Sequence, residues 1–347
     1  MAKLFFLLSG ENPTLPFSEA KSILKAEGFK YQVLEELAHL LRVEADIKCI
    51  ESVKSRSSLT KTCGIEVFNC EANAEEILEN LQKAEINSFI RDGESFVVRV
   101  SRIRGCSPNI NGWMLEQKIG EIILNKLRWV KVNLKVPQRT FLGILTENKF
   151  IFGLKLADIK SKSFIERGPR KKVFFHPAAM STKLARCMIN LAQAKKNDLV
   201  LDPFCGTGSI LLEAGLIGCS ILGFDLNRRM VIGSLQNLRY YGVEPLGIIL
   251  SDARLPPLNK NEADCVVTDP PYGLSASTFG LKPQVLFEDF LSAIGEKVKR
   301  GGRLCIAAPK SLEIDELGST LGFRHIESHF IHIHRRLTRE ILVFERD

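Results

Sequence analysis

From Leu199 onward, short apolar runs end repeatedly in aspartate. The runs are Leu199–Asp202, Ser220–Asp225, Leu246–Asp252 and Ala263–Asp269, and helix-length stretches (Ile210–Leu216, Met230–Tyr241, Val285–Val298) alternate with them. Strand and helix in alternation are the sequence form of a parallel, doubly wound sheet. Arg303–Ala308 adds a strand, and Phe323–Phe344 has no helix-length gap, so it reads as two adjacent strands pairing antiparallel at the sheet edge. Pro177 can open a helix whose apolar stripe is Leu184, Met188 and Leu191. A sheet of this kind must be covered on both faces, and 347 residues at 45% hydrophobic can do that.

The first run continues as Asp202-Pro203-Phe204-Cys205-Gly206-Thr207-Gly208-Ser209. Its glycines permit unusual backbone angles and let a ligand approach the main chain. The third glycine of a dinucleotide fingerprint is missing, and no Gly-Lys-Ser/Thr follows, so the loop argues weakly for a nucleotide phosphate. Asp225 lies 23 residues beyond Asp202, near the spacing at which an acid meets ribose hydroxyls in such folds. One acid at a strand end is most often a helix cap or a solvated turn. Asp202, Asp225 and Asp252 with a glycine loop point instead to a ligand crevice. Such a site suits a cationic sulfonium with an adenosine better than a pyrophosphate.

The fourth run leads into Asp269-Pro270-Pro271-Tyr272-Gly273. Two prolines fix the backbone and remove two donors, which frees the Pro270 carbonyl to face a substrate. The Asp269 carboxylate only accepts. An exocyclic amine on a base is a poor nucleophile because its lone pair is delocalised into the ring. Two acceptors holding its hydrogens would aim that lone pair out of the ring plane. Tyr272 offers a face for a flipped base. The bland alternative, a turn closing a strand, is less economical after three acid-ended strands.

The net charge is +8 and is unevenly spread. Twelve basic residues against three acids give 128–172 a net charge of +9, so the remainder sums to about −1. A localised basic stripe is the footprint of a phosphate-rich partner, although a solvated lysine-rich surface gives the same count. His325, His329, His332 and His334 cluster near the end; with no completing acid or cysteine, a polar sheet edge or substrate contact is favoured over a metal site. Arg335, Arg336 and Arg339 could meet phosphate, substrate or solvent. Nine cysteines contain no C-x-x-C pair, which argues against a zinc ribbon and for a reducing, cytoplasmic setting. No run is long enough to span a membrane, and the N-terminal Leu4–Leu8 reads as a strand.

The first half alternates differently. Phe17–Glu27 (capped by Ser18), Ala74–Lys83 and Met114–Leu127 read as helices; Glu94–Ile103 and Val130–Val136 read as strands. Arg139–Leu145 and Lys149–Leu154 flank a hairpin turn at 146–148. Tyr31–Val43 is mixed, and Ile47–Val53 fits helix or strand. This is an α+β region, expected as two small sheets, and 155–172 reads as a basic linker.

The glycine loop, Asp225, Asp252 and Asp-Pro-Pro-Tyr together resemble class I amino-methyltransferases. With 167–180 (Lys171-Lys172-Val173-Phe174-Phe175-His176-Pro177) and His334-Arg335-Arg336-Leu337-Thr338-Arg339, the C-terminal half looks like the archaeal form of the tRNA guanine-10 N2-methyltransferase family. The N-terminal half is similar to that family's ferredoxin-like segment and THUMP domain through Phe96–Ile103, Leu115–Leu127 and Val130–Leu154; the usual small-residue patch is partly present as Gly105-Cys106-Ser107. The resemblance implies a ferredoxin-like segment at 1–54, a THUMP domain at 55–154, the linker at 155–172 and a Rossmann-like class I methyltransferase domain at 173–347. It implies S-adenosyl-L-methionine held by Asp202, Pro203, Phe204, Gly206, Thr207, Gly208, Asp225, Asp252 and Ala253. The target base is expected at Asp269, Pro270, Pro271 and Tyr272, and tRNA at Arg104, Lys131, Lys135, Arg167, Arg170, Lys171 and Lys172. It implies no resident metal, and in some relatives a small zinc-binding activator subunit. Two alternatives stand beside it: a DNA adenine-N6 methyltransferase, which shares Asp-Pro-Pro-Tyr but not this N-terminal half, and a tRNA-binding protein without catalysis. Protein-glutamine methyltransferases carry Asn where this chain has Asp269.

Overall fold

A computed structural model describes residues 1–159, 161–272, 282–335 and 337–347. Lys160 of the basic stretch, Gly273 of the proline motif and Arg336 lie outside the described residues. The chain forms two compact units. One contains Met1–Phe17, Gly28–Ser55 and Thr60–Ile159; the other contains Ser18–Glu27, Arg56–Leu59 and Lys160–Asp347.

Up to Asp158 the chain runs β1 (Ala2–Leu8), α1 (Leu15–Ala26, of which Ser18–Ala26 belong to the second unit), β2 (Tyr31–Leu37), β3 (Leu40–Ala45), α2 (Cys49–Arg56), β4 (Thr60–Glu71), α3 (Ala74–Lys83), β5 (Ser95–Arg102), α4 (Gly112–Lys126), β6 (Lys131–Val132), β7 (Arg139–Thr146) and β8 (Lys149–Asp158). The strands make one eight-stranded sheet, ordered β2-β3-β1-β4-β8-β7-β5-β6, and not the two small sheets expected. The cause is β4. At twelve residues it is long enough to pair antiparallel with β1 on one side and β8 on the other. Close packing across that seam needs residues without a Cβ. A Cβ on Gly64 would lie 2.3 Å from the Phe5 ring, and one on Gly153 would lie 2.2 Å from the Ile65 carbonyl.

Four other readings sharpen or change. The 47–53 ambiguity resolves as helix α2, and the mixed segment 31–43 is the β2–β3 hairpin. The alternation at 130–136 yields only the two-residue β6, because Asn133 caps a turn by accepting from the backbone N–H groups of Lys135 and Val136. Lys155–Asp158 finish β8, so the basic linker begins inside the sheet. Helices α3 and α4 bury Ile77, Leu81, Leu115, Ile119 and Ile123 beside Phe96, Phe141, Phe150 and Phe152.

The second unit carries α5 (Lys162–Glu166), α6 (Thr182–Leu191), β9 (Leu199–Asp202), α7 (Ser209–Gly215), β10 (Ser220–Asp225), α8 (Arg228–Tyr240), β11 (Gly247–Leu250), β12 (Ala263–Thr268), α9 (Pro283–Gly295), β13 (Val298–Pro309), α10 (Ile314–Thr320), β14 (Phe323–His334) and β15 (Leu337–Arg346). Helix α6 starts at Thr182 and not at Pro177, because the Ser181 hydroxyl supplies the N-cap by accepting from the Leu184 N–H. The sheet order is β11-β10-β9-β12-β13-β15-β14. Pairs from β11 to β13 are parallel, and β13–β15 and β14–β15 are antiparallel, as the edge hairpin requires. The chain steps outward from β9 to β11, then returns to place β12 on the other side of β9. Strand order therefore reverses between β9 and β12, and the crevice at their carboxyl ends is where open α/β sheets bind ligands. Helix α9 buries Leu286, Phe287, Phe290, Leu291 and Ile294, one helical face, against Leu201, Val266 and Leu304. This packing anchors the two strands that carry Asp202 and Asp269.

Candidate functional site

The crevice is a cavity of about 490 Å³, a size typical of small-molecule sites. It is lined by Asp202, Phe204, Gly206, Thr207, Asp225, Asp252, Asp269 and Pro271 among others. Four carboxylates from four segments of the second unit thus converge. Of the residues expected at the donor and the base, Pro203, Gly208, Ala253, Pro270 and Tyr272 do not line the cavity. Pro203 is buried in the turn, Gly208 shapes it, and Ala253 packs into the core with Phe224 and Phe287. Gly208 has φ 76 and would drive a Cβ to 2.4 Å from the Ser234 hydroxyl, so only glycine fits. Of the other lining residues, His176 and Met180 lie in the stretch 167–180 that carries the resemblance, whereas Leu226, Met230, Arg254 and Leu286 have no sequence signal that would single them out.

The loop is held from several directions. Asp225 Oδ2 accepts from the Gly206 N–H at 2.9 Å, and its other oxygen accepts from the Asn227 N–H at 2.8 Å. Asn237, buried in α8, donates to the carbonyls of Thr207 and Phe174 and accepts from the Phe174 N–H, each at 2.9 Å. The Phe174 ring lies over Gly233, where a Cβ would intrude to 2.0 Å. Asp202 is fully buried and accepts from the Thr268 hydroxyl at 2.7 Å and the Phe204 N–H at 3.2 Å. The Thr268 bond ties β9 to β12 across the point where strand order reverses. Burial pushes the Asp202 carboxyl up to about 7 and also raises Asp225. Asp252 is lowered, because Arg254 grips it with a hydrogen bond at 2.8 Å.

At the end of β12 the arrangement is less complete. Burial pushes the Asp269 carboxyl up to about 6, and Arg339 opposes that from 3.7 Å. Arg339 stands on β15 and donates to the Tyr272 hydroxyl at 2.6 Å, its guanidinium 6.0 Å from the centre of that ring. Asp269 Oδ1 and Arg339 Nε are both buried without a hydrogen-bond partner among the described residues. The sequence alone leaves Arg339 open between phosphate, substrate and solvent; the fold puts it against the proline motif.

The expected basic contacts divide. Arg104, Lys131, Lys135, Arg170 and Lys171 are exposed. Lys172 is not: it is buried and donates to the Ser209 hydroxyl at 2.6 Å, and burial lowers its pKa to about 8. Ser209 in turn shares a hydrogen bond with Thr207 at 3.2 Å, so Lys172 braces the glycine loop and does not face a partner. Arg167 is committed to Glu213 through two hydrogen bonds of 2.9 and 3.2 Å and lies over the Phe164 ring. Three like charges in a row at 170–172 read as one surface, and the tight fold of 169–171 turns the third inward. Strand β14 has an irregularity between His332 and His334, and no group of three His, Cys, Asp or Glu side chains among the described residues is placed to hold a metal. Among the described residues no helix is long and apolar enough to cross a membrane.

The RMKL-like methyltransferase-domain family model matches residues 169–339. A tRNA (guanine(10)-N2)-dimethyltransferase of Methanothermobacter thermautotrophicus is 38% identical over 344 residues, covering 99% of each chain. The protein of the same name from Methanocaldococcus jannaschii is 31% identical over 363 residues, 98% of this chain and 99% of that one. Among solved structures, TrmN from Thermus thermophilus shares the fold at a TM-score of 0.56 and 19% identity, over 99% of this chain and 100% of that one. Full-length identity at these levels, over a crevice built as the motifs require, places this chain in the tRNA (guanine(10)-N2)-dimethyltransferase family.

Proposed function

We propose that this protein methylates the N2 amine of guanine 10 in tRNA, up to two methyl groups on the one nitrogen, with S-adenosyl-L-methionine as donor. The observation that carries this reading is the buried, unpartnered Oδ1 of Asp269 at the rim of an acid-lined cavity, in a family whose members bear that activity in their names.

The residues present fit the donor. Carboxylates of Asp202, Asp225 and Asp252 make the cavity favourable for a cationic ligand, and Asp225 stands where ribose hydroxyls are met in related folds. A Cβ on Gly206 would come no closer than 3.9 Å to any neighbour, so the main chain there is open to close approach. When bound, the donor supplies a methyl group activated by its sulfonium. The chain's own part is to hold the amine. Asp269 Oδ1 accepts one N2 hydrogen and the Pro270 carbonyl accepts the other, which orients the lone pair towards the cavity. Tyr272 offers its ring as a stacking face for a flipped guanine. Arg339 opposes the burial penalty on Asp269, so the carboxylate is available as an acceptor at neutral pH. Exposed Arg104, Lys131, Lys135, Arg170 and Lys171 are proposed to contact tRNA phosphates, and the ferredoxin-like and THUMP assignments of 1–54 and 55–154 belong to this same reading. The reaction is placed in the cytoplasm.

The purified full chain should be incubated with labelled donor and either a tRNA transcript carrying guanine 10 or duplex DNA, then digested and analysed by mass spectrometry. N2-methyl- and N2,N2-dimethylguanosine from the transcript are expected. Label in DNA alone would overturn the reading. Turnover by the chain alone would show that no zinc-binding activator subunit is needed.

A further inference from the structure

The proline motif contains one unused buried acceptor, Asp269 Oδ1, and beside it one unused buried donor, Arg339 Nε, among the described residues. Buried polar groups are almost always paired, so two complementary orphans within one ion pair point to a ligand that pairs both. Their order matters. Arg339 Nη2 lies 3.7 Å from Asp269 Oδ2, and Oδ1 is the carboxylate oxygen further from the guanidinium. Read outward from the guanidinium, the groups run donor, acceptor, acceptor. Cytosine presents that same order to guanine, whose edge runs O6 (acceptor), N1–H (donor), N2–H (donor).

We propose that Asp269 and Arg339 together read the edge of the target guanine, with Arg339 donating to O6 and the two Asp269 oxygens accepting from N1–H and N2–H. This rests on the reading of the site as one that methylates a guanine amine. It assigns Arg339 the role of choosing the base. Adenine offered to the same groups would put the lone pair of N1 against a carboxylate oxygen, which repels it. The Tyr272 hydroxyl, accepting from Arg339 at 2.6 Å, holds the guanidinium beside the motif before the base arrives. A guanidinium suits this task because its donors are arrayed in a rigid plane.

The test compares tRNA carrying guanine 10 with tRNA carrying 2-aminopurine 10. The analogue keeps the amine but lacks O6 and the N1 hydrogen. The wild-type chain is expected to prefer guanine by about 10- to 100-fold in kcat/KM, the discrimination a bidentate base contact gives. Arg339→Met should lose far more rate on guanine than on 2-aminopurine, so the preference collapses towards that of the N1–H contact alone. Arg339→Lys, which keeps a cation and a donor, should give an intermediate preference. Equal losses on both substrates, or an undiminished preference in Arg339→Met, would overturn the proposal. If Arg339→Met melts early, the preference measured for Arg339→Lys decides: an unchanged ratio overturns it. Failure of the wild-type chain to methylate guanine 10 would instead refute the underlying reading of the site.

Discussion

Each unit sets an arginine against a carboxylate, buried in the first and half-buried in the second, and the two pairs are finished to different degrees. In the first unit Arg42 donates to both oxygens of Glu66 at 2.7 Å through Nε and Nη2, and its remaining Nη1 meets Glu35, which also holds Lys149. Asn69 adds a further hydrogen bond to Glu66. In the second unit Arg339 and Asp269 stand 3.7 Å apart, and each keeps a buried atom without a partner among the described residues. The same two side-chain types thus serve opposite ends. Full pairing makes a buried charge part of the scaffold; partial pairing leaves an interaction for a ligand to complete.

The largest effect should come from the finished pair. Arg42→Met strands Glu66 in the sheet and should cost roughly 3–5 kcal/mol, read by chemical denaturation. A loss under about 1 kcal/mol would mean that solvent reaches the pair and the contrast fails. Next, Asp269→Asn should lower methyl transfer about 10²- to 10³-fold. Its melting temperature should change little, because the desolvation of a half-paired charge is relieved while its contact with Arg339 is lost. A matching loss of stability would make Asp269 a scaffold residue like Glu66.

The pH profile sharpens the difference further. Asp269 must be ionised to accept from the amine, so the rate should fall about tenfold per unit below pH 6, and the limb should vanish in Asp269→Asn. Stability runs the other way. The folded-state value lies above the ordinary 3.8, so this group's contribution is full below 3.8 and is lost as pH rises through about 6, and through about 7 for Asp202. A rate profile flat down to pH 5 would contradict the role given to Asp269. The smallest effect concerns the basic segment. Replacing Arg170 and Lys171 by alanine should weaken tRNA binding a few-fold and flatten the log–log salt dependence by roughly 0.7–0.9 per lost phosphate contact. Lys172→Met should leave that slope alone while weakening donor binding through the loop, since its ammonium meets Ser209 and not solvent.

Much of the second unit was legible because its signals are local. Each strand and the acid at its end lie within a few residues of one another, and the glycine loop joins a strand to the helix after it. The first unit was read less well: its eight-stranded sheet depends on β4 pairing with both β1 and β8, partners distant in the chain. The burial of Lys172 is hidden from the sequence for the same kind of reason. Its neighbours 170 and 171 are exposed, and only the packing of 169–174 on α7 and α8 distinguishes it.

The sequence by itself determined the doubly wound sheet, the glycine loop and the acceptor-rich Asp269–Tyr272 turn, because each is a short-range pattern dictated by strand and turn chemistry. Only the tertiary structure decided what stands opposite that turn. Arg339 lies 67 residues beyond Tyr272, and it reaches the site because β15 doubles back antiparallel beside β13, which itself lies beside β12. Charge and periodicity cannot say where such a residue arrives. Strand order does, and it leaves a half-paired cation beside the carboxylate proposed to hold the amine.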